Sequence, residues 1–400
     1  MSFRDHVIRA RGLAVVVAVC AVAALVAVSA QGAVATHKGA FSTFAIPTAN
    51  GIPYEMTVAP GGDLWFTEFG AGKVGRITPS GAISQFAIPT ATGGPWGITA
   101  APGGDLWFTE FSAGKIGRIT PSGATTEFAL PIASSEPYEI TAAPGGDLWF
   151  TEFGAGKIGR ITPSGTITEF AIPTAASGPY GIAAGPDGNV WFTEQDANKI
   201  GRITPTGAIS EFQIPSEGGL PYGITSGPGH ELWFTEGRAN EIGRVTTSGA
   251  IKEFPIPEGG PGPREITAGP GGDLWFTEIL ATQIARMTPS GTFSEFTIPT
   301  RESRPQGIAA GREGNIWFTE ALADNIVRVE PALLPGANCV VPSLKGKTLA
   351  KAKRLLRSAH CKLGKVTEPS HHPHTPVVVS QKPAGKKVRP TGTKVSLRLS

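Results

Sequence analysis

From residue 41 to residue 335 the sequence holds no cysteine and one histidine, His230. No disulfide can support that stretch, and one imidazole leaves little of the side chain best suited to proton transfer near neutral pH. Acidic residues are almost missing from residues 336–400, where one Asp or Glu faces 14 Lys and Arg, whereas residues 41–335 hold 30 acidic and 17 basic side chains. The formal net charge of +3 therefore conceals an acidic body and a basic tail. Long apolar runs are scarce as well. The one at residues 13–28 follows Arg4, Arg9 and Arg11 and is closed by the small-residue triplets Val28-Ser29-Ala30 and Ala33-Val34-Ala35. That order reads as a signal peptide over residues 1–35, with an uncleaved N-terminal membrane anchor as the competing reading. Either way the body is expected outside the cytoplasm, secreted or associated with the cell wall or membrane. For an exported chain, the basic tail points to an anionic cell-wall polymer or a membrane surface as partner rather than to nucleic acid.

What the chain has in excess is punctuation. Scattered at random, 53 Gly and 35 Pro would suggest disorder, but here they recur at fixed offsets. The tetrapeptide Trp-Phe-Thr-Glu occurs seven times, with Trp65, Trp107, Trp149, Trp191, Trp233, Trp275 and Trp317 each 42 residues apart. A fixed period of that length, built from short apolar runs and turns, predicts an all-β chain whose residues 41–330 form a seven-bladed β-propeller, expected as a monomer. The four strands of a blade are of the types Pro-Tyr-Gly-Ile-Thr, Asp-Leu-Trp-Phe-Thr, Lys-Ile-Gly-Arg-Ile-Thr and Thr-Glu-Phe-Ala-Ile-Pro. No fourth strand follows the last third strand at residues 325–330, and the missing copy stands at residues 41–47, ahead of the first repeat. The N-terminal strand is therefore expected to close the last blade and remove its open edge.

Antiparallel order places the start of the first strand and the end of the second on one face, together with the loops between second and third strands. Two rows follow: Tyr54, Trp96, Tyr138, Tyr180, Tyr222, Arg264 and Gln306, and Glu68, Glu110, Glu152, Glu194, Glu236, Glu278 and Glu320. The glutamate row could gather a divalent cation through oxygen ligands. Each Glu is also followed eight residues later by an Arg, from Arg76 to Arg328, so ion pairs serving the repeat are the expected role. The first row varies, and Glu55, Glu139 and Glu265 replace the Gly found next in the other repeats. Aromatics with a few polar groups around a concave mouth suit a small cyclic peptide, peptide or glycan ligand, and ordinary packing explains them equally well.

At this spacing, Pro-Tyr-Gly-Ile-Thr, Leu-Trp-Phe-Thr-Glu, Lys-Ile-Gly-Arg-Ile-Thr and Glu-Phe-x-Ile-Pro resemble the virginiamycin B lyase, or streptogramin lyase, family over residues 41–330. The resemblance implies a Mg²⁺-assisted carbon–oxygen elimination that opens a cyclic depsipeptide, using histidines that directly follow the first-strand Pro of the last two blades. Arg264 and Gln306 stand at those positions here. Neither guanidinium nor amide can act as the base such an elimination needs. His230 lies in a turn at the opposite end of its blade, so the remaining candidates for base are Glu265 and Glu320. Arg264 is expected to hold its neighbour Glu265 ionised and weakly basic.

Past a linker at residues 331–338, residues 339–400 resemble a PASTA domain, with Leu349, Ala352, Leu355, Leu356 and Ala359 at helical spacing and a Ser-Gln-Lys-Pro-Ala-Gly turn at residues 380–385. The resemblance implies peptidoglycan binding or a spacer role. Cys339 and Cys361, the only cysteines beyond the leader, read as a disulfide in an exported chain. His371, His372 and His374 invite a metal reading that Pro373 and the lack of a fourth ligand weaken. Three functions stay open: a cell-envelope binding protein, a lyase with altered residues, and a structural scaffold.

Overall fold

The computed structural model describes residues 40–257, 262–334, 338–340, 342–358, 361–367, 377–383, 388–390 and 394–399. The leader at residues 1–35 and the histidines at 371, 372 and 374 lie outside them. Among the described residues no helix is long and apolar enough to cross a membrane.

Each 42-residue repeat folds into one four-stranded antiparallel sheet, as in Pro95–Ala100, Leu106–Glu110, Lys115–Ile119 and Thr125–Ala129. Among the described residues there are seven such sheets, and the first strand of each lies beside the first strands of its two neighbours in a closed cycle, with Pro53–Val58 next to both Pro95–Ala100 and Pro305–Ala310. The arrangement is propeller-like. In the last sheet the outer strand is Phe41–Ala45, paired antiparallel with Asn325–Val329 so that Phe44 faces Ile326. The Asp324 carboxylate accepts hydrogen bonds from the Asn50 and Ile52 amides at 2.7 and 3.0 Å, fastening the two ends of the ring.

The core lies between sheets rather than within them. Trp65, Val74 and Ile88 of one sheet share a cluster with Ile98, Leu106, Phe108 and Ile119 of the next. Each Trp stacks on the fourth-strand Phe of its own sheet, for example Trp107 on Phe128 with ring centroids 5.5 Å apart. In the turn at Gly123, with φ of 94°, a Cβ would come within 2.4 Å of the Phe86 ring of the preceding sheet. Glycine is thus fixed there by both conformation and contact.

The arginines do not pair with the glutamate row. In the strand register Trp107 faces Arg118 while Glu110 faces Lys115. Arg118 accordingly lies over the Trp107 ring at 5.6 Å and pairs with Asp105 at 3.9 Å. Eight residues of hairpin carry the Arg back to the Trp level, three residues before the Glu, which is why the expected Glu–Arg pairs do not form.

The 3-10 turn Pro331–Leu333 is followed by Leu334, which is buried against Ile298, Val327 and Val329. Leu334 thus adds to the core of the last sheets. In the C-terminal part the helix Leu349–Ser358 packs on a three-stranded sheet in which Lys394–Leu399 is central, parallel to Lys362–Thr367 and antiparallel to Val378–Lys382. Ala352, Leu356, Val378, Val395 and Leu397 form its core. Gln381 has a structural role: its Oε1 accepts from the Leu344 amide at 2.6 Å and its Nε2 donates to the Pro342 carbonyl at 2.8 Å, stapling the segment at residues 342–344 to the sheet. Cys361 is disulfide-bonded.

Two changes test the closure. Deleting residues 40–47 is expected to abolish cooperative thermal unfolding, and an unchanged transition would rule out the closing role of that strand. Thr319→Val leaves the Tyr54 carbonyl and the Gly307 amide without their buried partner, so urea unfolding is expected to show a loss of about 2–3 kcal/mol.

Candidate functional site

Every first strand carries the same irregularity. Pro53 faces Glu68 and Met56 faces Phe66, so Tyr54 and Glu55 together oppose Thr67 alone. Such a bulge leaves an amide unpaired and re-aims the side chains beside it. Here the Thr67 hydroxyl accepts from the Glu55 amide at 3.1 Å and donates to the Trp96 carbonyl of the next sheet at 2.6 Å. The same bulge recurs in all seven sheets, and the first-row residues converge on the ring interior.

The aromatic row packs on itself. Tyr54 stacks on Trp96 at 4.1 Å, Trp96 meets Tyr138 edge-on at 4.7 Å, and Tyr138 and Tyr180 are also 4.7 Å apart. Arg264 closes the series: its guanidinium carbon lies 4.0 Å from the Tyr222 ring centroid and 4.8 Å from that of Tyr180, and it donates to the Tyr180 hydroxyl at 2.5 Å. Trp96, Tyr138, Tyr180, Arg264 and Gln306 are buried, while Tyr54 and Tyr222 keep partial exposure. The interior is thus filled at this level by rings and one cation rather than left as an open mouth.

Beside these rings Glu55, Glu139 and Glu265 bring one oxygen each within 4.8 Å of one another. Their room comes from glycine in the preceding sheet. A Cβ on Gly97 would come within 2.9 Å of Glu139 Oε2, on Gly223 within 2.4 Å of Glu265 Oε2, and on Gly307 within 2.8 Å of Glu55 Oε2. Glu139 Oε1 and Glu265 Oε1 are buried without a partner. Burial raises all three carboxyls, and mutual repulsion adds to it at Glu55 and Glu139. Glu265 is pushed up to about 7 although Arg264 beside it acts downward. Desolvation therefore outweighs the cation, contrary to the expectation that Arg264 would keep this group weakly basic.

Glu320, the other proposed base, is not part of that trio. It is fully buried at the end of Ile316–Glu320, where Asn325 Nδ2 donates to its Oε2 at 2.9 Å, and burial raises its pKa. The rest of its row behaves alike: desolvation lifts Glu110, Glu194, Glu236 and Glu278 to about 8 and Glu152 to about 7. Glu68 is raised less, since Gln85 Nε2 donates to both of its oxygens at 2.7 and 2.8 Å.

Two residues on the loop face escaped the sequence reading. At the second position after the row glutamate, the repeats carry Gly70, Ser112, Gly154, Asp196 and Arg238, then Leu280 and Leu322. These two leucines belong to neighbouring sheets and are 74% and 64% exposed. The signal was a departure from the repeat at one register position. A cavity of about 520 Å³ lies at the opposite end of the first strands, lined by Ala59, Ala101 and Ala143 with Pro60, Pro102 and Pro144. Its lining is aliphatic except for Arg312, and neither the aromatic row nor the glutamates line it. His230 is exposed in the turn at that same end.

The Virginiamycin B lyase family matches residues 26–178 and 134–333, and the PASTA domain matches residues 340–400. Among solved structures, selenomethionine-substituted virginiamycin B lyase from Staphylococcus aureus is 42% identical, with a TM-score of 0.70 over 72% of this chain and 98% of that one. A streptogramin B lyase is 40% identical, with a TM-score of 0.70 over 72% and 96%. A catalytically inactive variant of the Staphylococcus aureus virginiamycin B lyase with quinupristin is 42% identical, with a TM-score of 0.68 over 72% and 98%. No curated protein matches the chain.

A carboxyl raised by burial binds protons in the folded state that it gives up on unfolding. The stability that Glu110, Glu152 and Glu265 contribute in this way is therefore full below about pH 4.5, the ordinary carboxyl value, and is lost as pH rises through about 7 to 8. In the absence of divalent cations, Tm is expected to be higher at pH 5.5 than at pH 8.5. Equal values by differential scanning calorimetry would show these carboxyls to be ionised throughout.

Proposed function

We propose, for a chain that belongs to the virginiamycin B lyase family and carries a C-terminal PASTA domain, the role of an exported cell-envelope protein. Its seven sheets are the blades of a seven-bladed propeller that binds a peptide- or glycan-type ligand on the loop face without cleaving it, while the PASTA domain engages peptidoglycan.

The observation that carries this reading is the state of Arg264. An elimination needs a base at the reacting carbon and an acid or cation at the leaving oxygen. At the first of the two positions where the resemblance places histidine stands a guanidinium held between Tyr180 and Tyr222; burial acts to lower its pKa, but those hydroxyls and Glu265 raise it on balance. At the second stands a buried amide, Gln306, which does not titrate. Leu280 and Leu322, exposed on the blades that carry these two residues, offer an apolar contact for a ligand at the rim.

The Mg²⁺ implied by the family is compatible with the inner trio, whose hard oxygen donors include partnerless oxygens of Glu139 and Glu265. Glu55, Glu139 and Glu265 would hold it, and its charge there would offset three carboxylates that burial otherwise drives to protonation. The group Glu265, near 7, favours a second reading, a lyase that uses a carboxylate as base. In the tail, the bonded Cys361 is assigned to Cys339, a link that stabilises the domain by roughly 3 kcal/mol on the loop-closure account.

Incubation of the full chain with a type B streptogramin and Mg²⁺ is expected to leave the macrocycle intact by mass spectrometry. Binding measured by calorimetry is expected to weaken about tenfold or more in Leu280→Asp combined with Leu322→Asp. Turnover that disappears in Glu265→Gln would put the lyase reading first. The chain is also expected to sediment with purified peptidoglycan at low salt and to release as salt screens its basic tail. Retention in the supernatant at low salt removes the wall-binding role.

A further inference from the structure

The end of the second strand is built from three positions in every repeat: the row glutamate, the residue opposite it on the third strand, and a residue on the fourth strand. In three consecutive repeats these are Glu110, Lys115 and Glu127, then Glu152, Lys157 and Glu169, then Glu194, Lys199 and Glu211. The ammonium pairs with the fourth-strand carboxylate at 2.6, 2.5 and 3.7 Å in turn. It also reaches the loop of the preceding sheet, as Lys115 and Lys199 do by donating to the Thr90 and Thr174 hydroxyls, both at 2.7 Å. One cation thus offsets two carboxylates and ties two blades together.

In the fifth repeat the lysine is replaced by an acid, giving Glu236, Glu241 and Glu253. The three keep the repeat geometry and bring one oxygen each within 4.8 Å of one another. Ser216, at the position of Thr90 and Thr174, orients two of them: its hydroxyl donates to Glu241 Oε2 and its amide to Glu253 Oε1, both at 2.9 Å. Glu236 is fully buried, and neither of its oxygens has a hydrogen-bond partner. No Lys or Arg among the described residues lies within ion-pair distance of the three. The position that holds lysine in the first four repeats, and the neutral Gln283 and Asn325 in the last two, holds a third anion here, leaving a buried carboxylate aimed into the cluster.

We propose that Glu236, Glu241 and Glu253 form a Ca²⁺ site, in which the ion takes the place of the lysine ammonium and clamps the fifth blade to the loop of the fourth. Calcium–oxygen contacts of about 2.3–2.6 Å place oxygens on opposite sides of one ion about 4.8 Å apart, so the three can meet one ion as they stand. Carboxylates and a nearby hydroxyl are hard donors with no nitrogen or sulfur among them, which favours Ca²⁺ over transition metals. Without an ion the cluster must take up protons, and Glu236 is accordingly displaced to about 8 by burial and by its two acidic neighbours.

The test uses the full chain, stripped with chelator and dialysed against Ca²⁺ at pH 7.5. The wild type is expected to retain one more Ca²⁺ per chain than Glu241→Lys, counted by mass spectrometry of the metal after gel filtration. The comparison is unaffected by any ion held at the inner trio, because both proteins keep it. At a hundredfold excess over Kd, Ca²⁺ is expected to raise the wild-type Tm by about 5 °C more than that of the variant. Glu241→Lys restores the residue that four other blades carry, so its fold is expected to persist, and Glu253→Gln provides an independent second variant. Equal metal counts in the wild type and both variants, or a Tm response to Ca²⁺ that Glu241→Lys leaves unchanged, would overturn the site.

Discussion

One hydroxyl per repeat holds the ring together. The threonine of Trp-Phe-Thr-Glu is completely buried, accepts from the amide exposed by the first-strand bulge, and donates to a carbonyl of the next sheet. The chain of bonds runs from Thr67 to the Trp96 carbonyl and onward until Thr319 reaches the Tyr54 carbonyl and the cycle is complete. A buried amide and carbonyl cost energy unless satisfied, and a single side chain that is both donor and acceptor satisfies both. Valine has the same shape and neither capacity. The bulge that aims the site residues inward is tolerable only because of this hydroxyl, so blade adhesion and site geometry depend on the same atom.

What the bulge delivers to the interior is a packed stack and not an open cleft. Rings from Tyr54 to Tyr222 touch in series, and Arg264 lies on the last of them, where cation–π contact and a hydrogen bond to Tyr180 compensate its loss of water. The carboxylates next to this stack are held away from solvent, and their raised pKa values express that cost. Further out, on the loops, Leu280 and Leu322 are exposed where the other blades carry small or polar residues.

The strict 42-residue period makes departures informative. Glu241 is one of them: a single exchange of Lys for Glu converts an internal ion pair into three convergent carboxylates without altering the strand register. Arg264 and Gln306 are others, since they set this chain apart from what its family resemblance implies at those two positions. Constant residues such as Trp107, Thr109 and Arg118 serve packing and blade adhesion, whereas the residues that differ carry the individual chemistry of this chain.

The period by itself determined the all-β repeat architecture, the number of four-stranded sheets, the partner of the N-terminal strand and the face shared by Tyr54 and Glu68, because strand alternation and antiparallel order follow from spacing alone. The tail's helix was legible from apolar periodicity, although the hydrogen bonds of Gln381 to residues 342 and 344 were not. The partners of the arginines and glutamates were not legible, since sequence distance suggested Glu110 with Arg118 while register gave Trp107 to Arg118 and Lys115 to Glu110. Nor could spacing reveal that Glu55, Glu139 and Glu265, from blades far apart in the chain, meet inside the ring, or that Arg264 reaches Tyr180 two blades away. Those contacts are decided by closure of the ring, which brings distant repeats within ångströms and removes the water that would otherwise have set their charge.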